Sequence, residues 1–527
     1  MFAEEKSTAR LRAWNSFQCA AHDERRPAFW LVLSTLASVA LAMLWLAPGH
    51  GWGDDFAGYL LQAQSLVNAK PAQELQLNAH LMAASDWRAG PDAYPWGYPA
   101  ILAALIWIAG QSLTLLKVVS VAAIGVATLA TGLLAHASRL GLLAAICVAI
   151  LVGMQPDLTS LANIIGSDAL FLALTAVALL FAVLALDAPP RTRLWLMLTA
   201  AVFGSLSYFV RSNGVVTLAA VAAASVAVQL FGQRRDLRSI VVTVAAFGLV
   251  CAVLVGAYYA LLPDGSFVHL HYLTLQPASL LRRSGDAVVA FGRFYPLDVL
   301  PDPLAYLAVI GVVALAVLGA FRLGKAGVLL ALYSGGHLLL VTLFPYSGGQ
   351  RYYLPVLLGV AILAMGGVEA VAQQVAAKLT DTAHVRVAGG TLVVLLFVGA
   401  VGANVFRVDA RREKDGDGPY SPAATELFGY LRAQPDTIQP VAFFKPRALR
   451  YLAGKDALLV RTPQTARLVN SIVVSRGPKA APWQLSEGQV AQLKDFRPAF
   501  HNEDFTLYVR APRAAARSQP TLRHAPK

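Results

Sequence analysis

Long apolar runs separated by short polar turns make up most of this chain. From Asp168 onward they occupy about 168–187, 194–210, 214–231, 239–262, 303–321, 326–344, 353–372 and 387–406. Each is near the roughly 20 residues that a helix rising 1.5 Å per residue needs to cross the hydrocarbon core of a bilayer. Upstream, the run from Ala28 to Pro48 predicts a first span, and apolar stretches follow at 95–110, 112–135 and 141–156.

The polar positions between the runs give sidedness. Arg191 and Arg193; Arg234, Arg235 and Arg238; Arg322 and Lys325; Lys378 and Arg386 fall in alternate turns. Basic residues gather in this way in cytoplasmic turns, so the other loops, and everything after about residue 407, are expected to face the periplasm. Segment 1–27 (Lys6, Arg10, Arg12, Arg25, Arg26) is long and charged for a signal peptide, so it reads as a cytoplasmic tail before an uncleaved first span. Sidedness then permits only an even number of crossings before Asp168. Arg139 favours a cytoplasmic turn at 136–140, so 112–135 and 141–156 cross. The short 95–110 stretch becomes a re-entrant or interfacial helix on the periplasmic side, and the expected total is about eleven spans.

After residue 408 the pattern changes. Ser421-Pro422 with Glu426 marks a capped helix start. Strands are expected at Val441–Phe444, Ser471–Ser475 and Phe505–Val509, and helices at Pro446–Leu452 and Ser486–Asp495. The fold class is therefore a polytopic α-helical membrane protein with a small soluble C-terminal α/β domain. Its expected parts are the tail 1–27, a transmembrane domain 28–408 whose first periplasmic loop is 49–111, a periplasmic domain 409–510, and a disordered basic tail 511–527.

Composition agrees with this reading. The 527 residues are 57% hydrophobic and 14% charged, where soluble proteins carry about a quarter charged residues; mean hydropathy is +0.57. The net charge of +13 follows from the loop bias and says little about nucleic acid. Cys19 lies in the tail, and Cys147 and Cys251 lie in apolar runs, with no spacing that suggests a disulfide or a metal site. The ten histidines show no HExxH pattern; His269 and His271, the closest pair, read as loop residues.

Two adjacent carboxylates, Asp54 and Asp55, follow the first span in Gly51-Trp52-Gly53-Asp54-Asp55-Phe56. Near a lipid boundary a carboxylate is costly unless it is solvated, paired or used. One of the pair can serve as a base towards a hydroxyl; equally, Asp54 can be a helix N-cap beside a solvated neighbour. In a helix from Asp54, residues Asp55, Tyr59 and Gln62 share a face. Ser167-Asp168 opens a span, either as a cap or as a second acidic wall of the same cavity. Arg211-Ser-Asn-Gly214 and Gly349-Gln-Arg351-Tyr352-Tyr-Leu-Pro355 place arginines at span ends, where a guanidinium matches phosphate oxygens or snorkels to headgroups. Lys117 lies in the first turns of its span on the same side. Tyr94-Pro95-Trp96-Gly97-Tyr98-Pro99 is a compact aromatic and proline motif. All these groups are expected at one depth, near the outer leaflet boundary. Acids and cations together there suit a reaction in which cations hold a lipid-linked phosphate leaving group and a carboxylate activates an acceptor hydroxyl.

In this order the motifs resemble the GT-C class of integral-membrane glycosyltransferases, which includes protein O-mannosyltransferases and the bacterial aminoarabinose transferases of lipid A. Phe444-Lys445-Pro446-Arg447-Ala448-Leu449 is similar to a motif in the C-terminal domain of bacterial members, and the resemblance spans about residues 28–510. It implies a polyprenyl-phosphate sugar donor, a lipid, glycan or protein acceptor, inversion at the anomeric carbon, and an inner-membrane enzyme working on the periplasmic side. It implies Asp55, Asp54 and Asp168 as catalytic candidates, Arg351, Arg211 and Lys117 on the donor phosphate, and Tyr59, Tyr94, Pro95, Tyr98 and Tyr352 around the substrate. The family's first acid, with an aromatic four residues on, maps onto Asp55 and Tyr59, but Phe56 stands where a second acid is common and Asp54 precedes instead. The choice between the two aspartates stays open. No cofactor is indicated, and a divalent metal, which some relatives need, is neither required nor excluded. Rival readings are a secondary transporter, disfavoured because the later spans have few charges in their middles, a surface-glycan ligase or polymerase using Arg282, Arg283, His269 and His271 of the 263–301 loop, and a sensor, which would leave the acidic pair unexplained.

Overall fold

The structure, a computed structural model, describes residues 25–87, 90–230, 237–264, 283, 285, 302–344, 349–378, 383–415, 418–477 and 480–511. The expected tail before residue 25, Arg234 and Arg235, most of the 263–301 loop with His269, His271, Arg282 and Arg293, and the tail beyond Ala511 lie outside the described residues. The chain divides into two compact units, one formed up to Pro48 and by Ala63–Ala69 and Tyr94–Lys414, the other by Gly49–Gln62, Lys70–Ala93 and the chain from Asp415.

The helices in chain order are α1 (Arg25–Leu44), α2 (Asp55–Val67), α3 (Pro71–Ala84), α4 (Gly97–Ala109), α5 (Leu113–Ala137), α6 (Leu142–Gly153), α7 (Pro156–Thr159), α8 (Asp168–Asp187), α9 (Pro190–Val210), α10 (Gly214–Leu230), α11 (Leu237–Leu261), α12 (Asp302–Arg322), α13 (Lys325–Leu343), α14 (Leu354–Lys378) and α15 (Ala383–Asp415). Among the described residues seven helices are long and apolar enough to cross a membrane, or eight if the bent pair Leu142–Gly153 and Pro156–Asn163 is one span. Ala28–Leu44, Gly97–Ala109, Gly214–Val228 and Tyr306–Arg322 are shorter apolar helices. The protein is a multi-pass membrane protein; eleven crossings require three of those four short helices to cross as well if the bent pair is one span, and all four if it is not.

The membrane unit is held by close packing and by a few satisfied polar groups. α12 and α14 approach so closely that a Cβ on Gly319 would lie 1.7 Å from the Leu363 carbonyl oxygen, and one on Gly367 2.1 Å from that of Leu315; small residues permit such contact between apolar helices, where dispersion replaces the hydrophobic drive. The stretch expected as one span at 141–156 is broken instead. Pro156 cannot continue the helical hydrogen bonding and forces a 51° bend. The carbonyls freed there are met by Ser38 Oγ on Gly153 O (2.5 Å) and Asn404 Nδ2 on Met154 O (2.8 Å), as lipid-depth backbone demands.

The second unit contains α16 (Pro422–Ala433), β1 (Val441–Ala442), α17 (Pro446–Ala453), β2 (Ala457–Leu458), β3 (Ser471–Ser475), α18 (Glu487–Ala491), β4 (Phe496–His501) and β5 (Phe505–Arg510). Ser421 Oγ caps α16 through the Ala424 N–H at 3.2 Å. The sheet order is β2-β1-β3-β5-β4. β1 runs parallel to β2 and β3, while β3–β5 and β4–β5 are antiparallel, with Val473 opposite Leu507. α17 provides the crossover that a parallel β1–β2 pair requires, and Gly454 ends it in the left-handed conformation (φ 66°).

Three expectations change here. β1 is two residues long rather than Val441–Phe444, because Phe443 and Phe444 turn into the core. The helix at Ser486–Asp495 is only Glu487–Ala491, followed by the strand β4 that was not foreseen. The first loop does not belong wholly to the membrane unit. Gly49–Gln62 and Lys70–Ala93 fold with the C-terminal chain, with Trp52 among Phe428, Phe443, Phe444 and Phe505 at ring-centroid distances of 5.0–6.4 Å.

Candidate active site

In the membrane unit the expected Ser167-Asp168, Arg211 and Arg351 come together. Asp168 is the first residue of α8, and its Oδ1 lies 2.6 Å from Arg211 Nη1 in a pair that is nearly out of reach of solvent. Ser167 does not cap α8; its hydroxyl accepts from Arg211 Nη1 at 3.3 Å. Arg351 Nη1 stands 4.0 Å from Asp168 Oδ2 and is more open, with 34% of its side chain exposed. The Tyr352 ring is shared by both guanidiniums, at 5.1 Å from Arg211 and 5.4 Å from Arg351, and stacks on Phe344 at 6.0 Å. One carboxylate thus faces two guanidiniums. Guanidiniums match phosphate oxygens and stay charged beside lipid.

Local backbone explains the motifs around this cluster. Arg211 ends α9, and the turn through Gly214 comes so close to the preceding turn that a Cβ there would lie 2.4 Å from the Tyr208 nitrogen. The tyrosine–proline motif opens α4 against that same helix end. A Cβ on Gly97 would sit 2.6 Å from the Phe209 carbonyl oxygen, and the Trp96 N–H donates to the Tyr258 hydroxyl at 2.8 Å. Tyr98 is fully buried, whereas Tyr94 and Pro95 are half-buried. The motif is therefore spaced for docking on the last turn before Arg211.

Lys117 is fully enclosed, and its ammonium donates to the Ala47 carbonyl and Asn163 Oδ1, both at 2.7 Å. Asn163 Oδ1 also accepts the Ala47 N–H at 3.0 Å. Lys117 thus ties the exit of the first helix to the turn before α8, and a phosphate would have to displace those bonds to reach it.

The acidic pair lies in the second unit, and its members separate. Asp55 begins α2, half-buried, with Tyr59 and Gln62 buried further along the helix. Asp54 is 6% exposed. Its Oδ1 accepts the backbone N–H groups of Arg447 (2.9 Å) and Ala448 (3.4 Å), and its Oδ2 lies 3.7 Å from Arg447 Nη1. Burial raises the Asp54 carboxyl above its ordinary range, against the lowering pull of Arg447, Lys445 and the Ala448 N–H, while Asp55 adds to the rise. Arg447 in turn bonds Asn78 Oδ1 (3.1 Å) and the Pro91 carbonyl. Nearby, Glu74 pairs with Arg450, and burial raises its carboxyl too.

Asn163 and His337 were not singled out from sequence. His337 is fully buried in α13, edge-on to Phe171 (5.9 Å) and Tyr333 (4.7 Å), and neither ring nitrogen has a hydrogen-bond partner among the described residues. Its signal was a lone histidine within an apolar span.

No family model matches the sequence, and no curated protein matches it either. Solved structures do. ArnT from Cupriavidus metallidurans bound to undecaprenyl phosphate superposes with TM-score 0.59 at 13% identity, over 91% of this chain and 97% of that one. The Archaeoglobus fulgidus oligosaccharyltransferase AglB, in complex with an inhibitory peptide and a dolichol-phosphate, gives TM-score 0.55 at 12% identity, over 92% of this chain and 74% of that one. The fold is that of the GT-C membrane glycosyltransferases. On this fold Asp55 stands at the start of the first helix after α1, and Asp168, Arg211 and Arg351 stand at helix ends of the membrane unit. Among the described residues no group of three or more His, Cys, Asp or Glu side chains is gathered as a metal site.

Proposed function

We propose that the protein is an inverting glycosyltransferase that moves a sugar from a polyprenyl-phosphate donor to a hydroxyl acceptor at the periplasmic face of a bacterial inner membrane, with its N-terminus cytoplasmic. The observation that carries the reading is the Asp168–Arg211–Arg351–Tyr352 cluster on a chain whose fold matches GT-C transferases along nearly its whole length. Asp55 is the general base. It takes the proton of the acceptor hydroxyl as that oxygen attacks the anomeric carbon from the side opposite the phosphate. The bond from the anomeric carbon to the phosphate oxygen breaks, and the polyprenyl phosphate leaves with the electron pair. Arg351, the more exposed of the two arginines, meets the phosphate, while Arg211, paired with Asp168, adds to the field at the leaving oxygen. Tyr352 keeps the two guanidiniums in register. Lys117 acts as a structural tie between Ala47 and Asn163. The acceptor is a lipid, glycan or protein hydroxyl.

The reading is tested with undecaprenyl phosphate as probe, binding to the detergent-purified protein. Arg351→Ala removes a charge-assisted partner, so the affinity is expected to fall by about 10- to 100-fold, the equivalent of about 1.5–3 kcal/mol. Unchanged affinity would remove Arg351 from the donor site.

A further inference from the structure

Asp54 adjoins the proposed base, yet its side chain is committed elsewhere. α17 has Lys445 at its N-cap position with no capping side-chain bond, and Pro446 follows. The cap comes from outside the segment: Asp54 Oδ1 takes the N–H groups of the second and third helical residues, Arg447 and Ala448. An N-cap side chain makes these same contacts, and a carboxylate there also faces the positive end of the helix. The Arg447 guanidinium lies alongside and is gripped by Asn78 and Pro91 of the same loop, while Trp52, two residues before Asp54, fills the aromatic core. At the same time the Asp54 carbonyl accepts the Gly58 N–H at 3.1 Å and so opens α2. Asp54 therefore joins two helix starts, one through its backbone and one through its side chain. Successive residues at a helix start point about 100° apart, so fixing the direction of Asp54 also fixes that of Asp55.

We propose that Asp54 is a positioning residue: by capping α17 in trans it clamps the Lys445–Arg450 turn to the loop that carries Asp55, and so aims the Asp55 carboxylate. This rests on Asp55 as the base, and it gives the Phe444–Leu449 motif a task, which is to seat the catalytic loop. The cap needs an acceptor oxygen at Oδ1, and an asparagine supplies one.

The test uses full-length protein in native membranes, with sugar transfer read by mass spectrometry. Asp54→Asn is expected to stay within about threefold of wild type in kcat, since amide and carboxylate cap helices comparably, and its pH–kcat profile overlays that of wild type. Asp54→Ala, which loses the acceptor, is expected to drop about tenfold or more in kcat with the donor KM unchanged, as loss of aim predicts. Asp54→Asn as inactive as Asp55→Asn, or with a displaced pH profile, would overturn the proposal, as would wild-type turnover by Asp54→Ala. Should Asp54→Ala fail to fold, the asparagine variant decides alone. Full turnover by Asp55→Asn is a separate result and removes the base assignment itself.

Discussion

At the scale of single residues, the Asp168–Arg211 pair has the most to lose. Both side chains are largely buried and 2.6 Å apart, so Asp168→Ala removes the carboxylate of a buried ion pair, a change that costs about 3–5 kcal/mol. A lowered unfolding temperature in detergent checks this; Asp168→Asn, which keeps an acceptor for Arg211, is expected to lose less. Asp54 predicts a pH effect. Burial raises its folded-state pKa, with Arg447, Lys445 and Asp55 as the facing charges. A carboxyl raised in this way is most favourable while protonated, and that contribution is lost as pH rises from the ordinary carboxylate range through the raised value. Relative to Asp54→Asn, the wild-type protein should therefore melt progressively earlier as pH increases across that window. A difference in melting temperature that is constant with pH would contradict the burial argument. The sequence marked Asp54 and Asp55 as a unit because they are neighbours. What divides them is a partner 393 positions away in the chain, and no local pattern encodes that. Lys117 shows the same limit: its position in the first turns of a span is visible in the sequence, but its bonds to the Ala47 carbonyl and Asn163 Oδ1 join segments 46 to 70 positions away.

At the scale of elements, the helices of the membrane unit were legible because hydropathy alone determines them. The runs expected at 168–187, 214–231 and 303–321 appear as Asp168–Asp187, Gly214–Leu230 and Asp302–Arg322. The break at Pro156 was signalled by the proline yet hidden by the apolar residues on either side. α3 was missed because its mixed polar and apolar residues pack into the second unit rather than into lipid. β1 and β2, two residues each, are too short for a period-two pattern to register. The tyrosine–proline motif yields a prediction at this scale. Gly97→Ala drives a methyl to 2.6 Å from the Phe209 carbonyl oxygen, overpacking that costs about 1–3 kcal/mol and pushes α4 off the turn before Arg211. Reduced transfer together with reduced thermal stability is expected; a Gly97→Ala variant equal to wild type in both would show that the close approach is not needed.

For the whole molecule, fold and function stand on different footings. The fold is that of GT-C transferases over 91% of the chain, and sequence motifs in the right order were enough to suggest it although identity to the matched structures is only 11–13%. What sequence order could not convey is that the first loop folds with the C-terminal chain, since that association depends on Trp52 and Asp54 meeting residues far along the chain. The account's central claim is sugar transfer with Asp55 as base. Its most direct test is mass spectrometry of envelope lipids and glycans from cells lacking the gene, complemented with either the wild-type protein or Asp55→Asn. The wild-type protein should restore a sugar-modified species that is absent from the deletion strain, while Asp55→Asn, present in the membrane at the same level, should leave it absent and let the polyprenyl-phosphate sugar accumulate. Restoration of the modified species by Asp55→Asn, or no difference in any envelope glycan between the deletion and wild-type strains, would contradict the account.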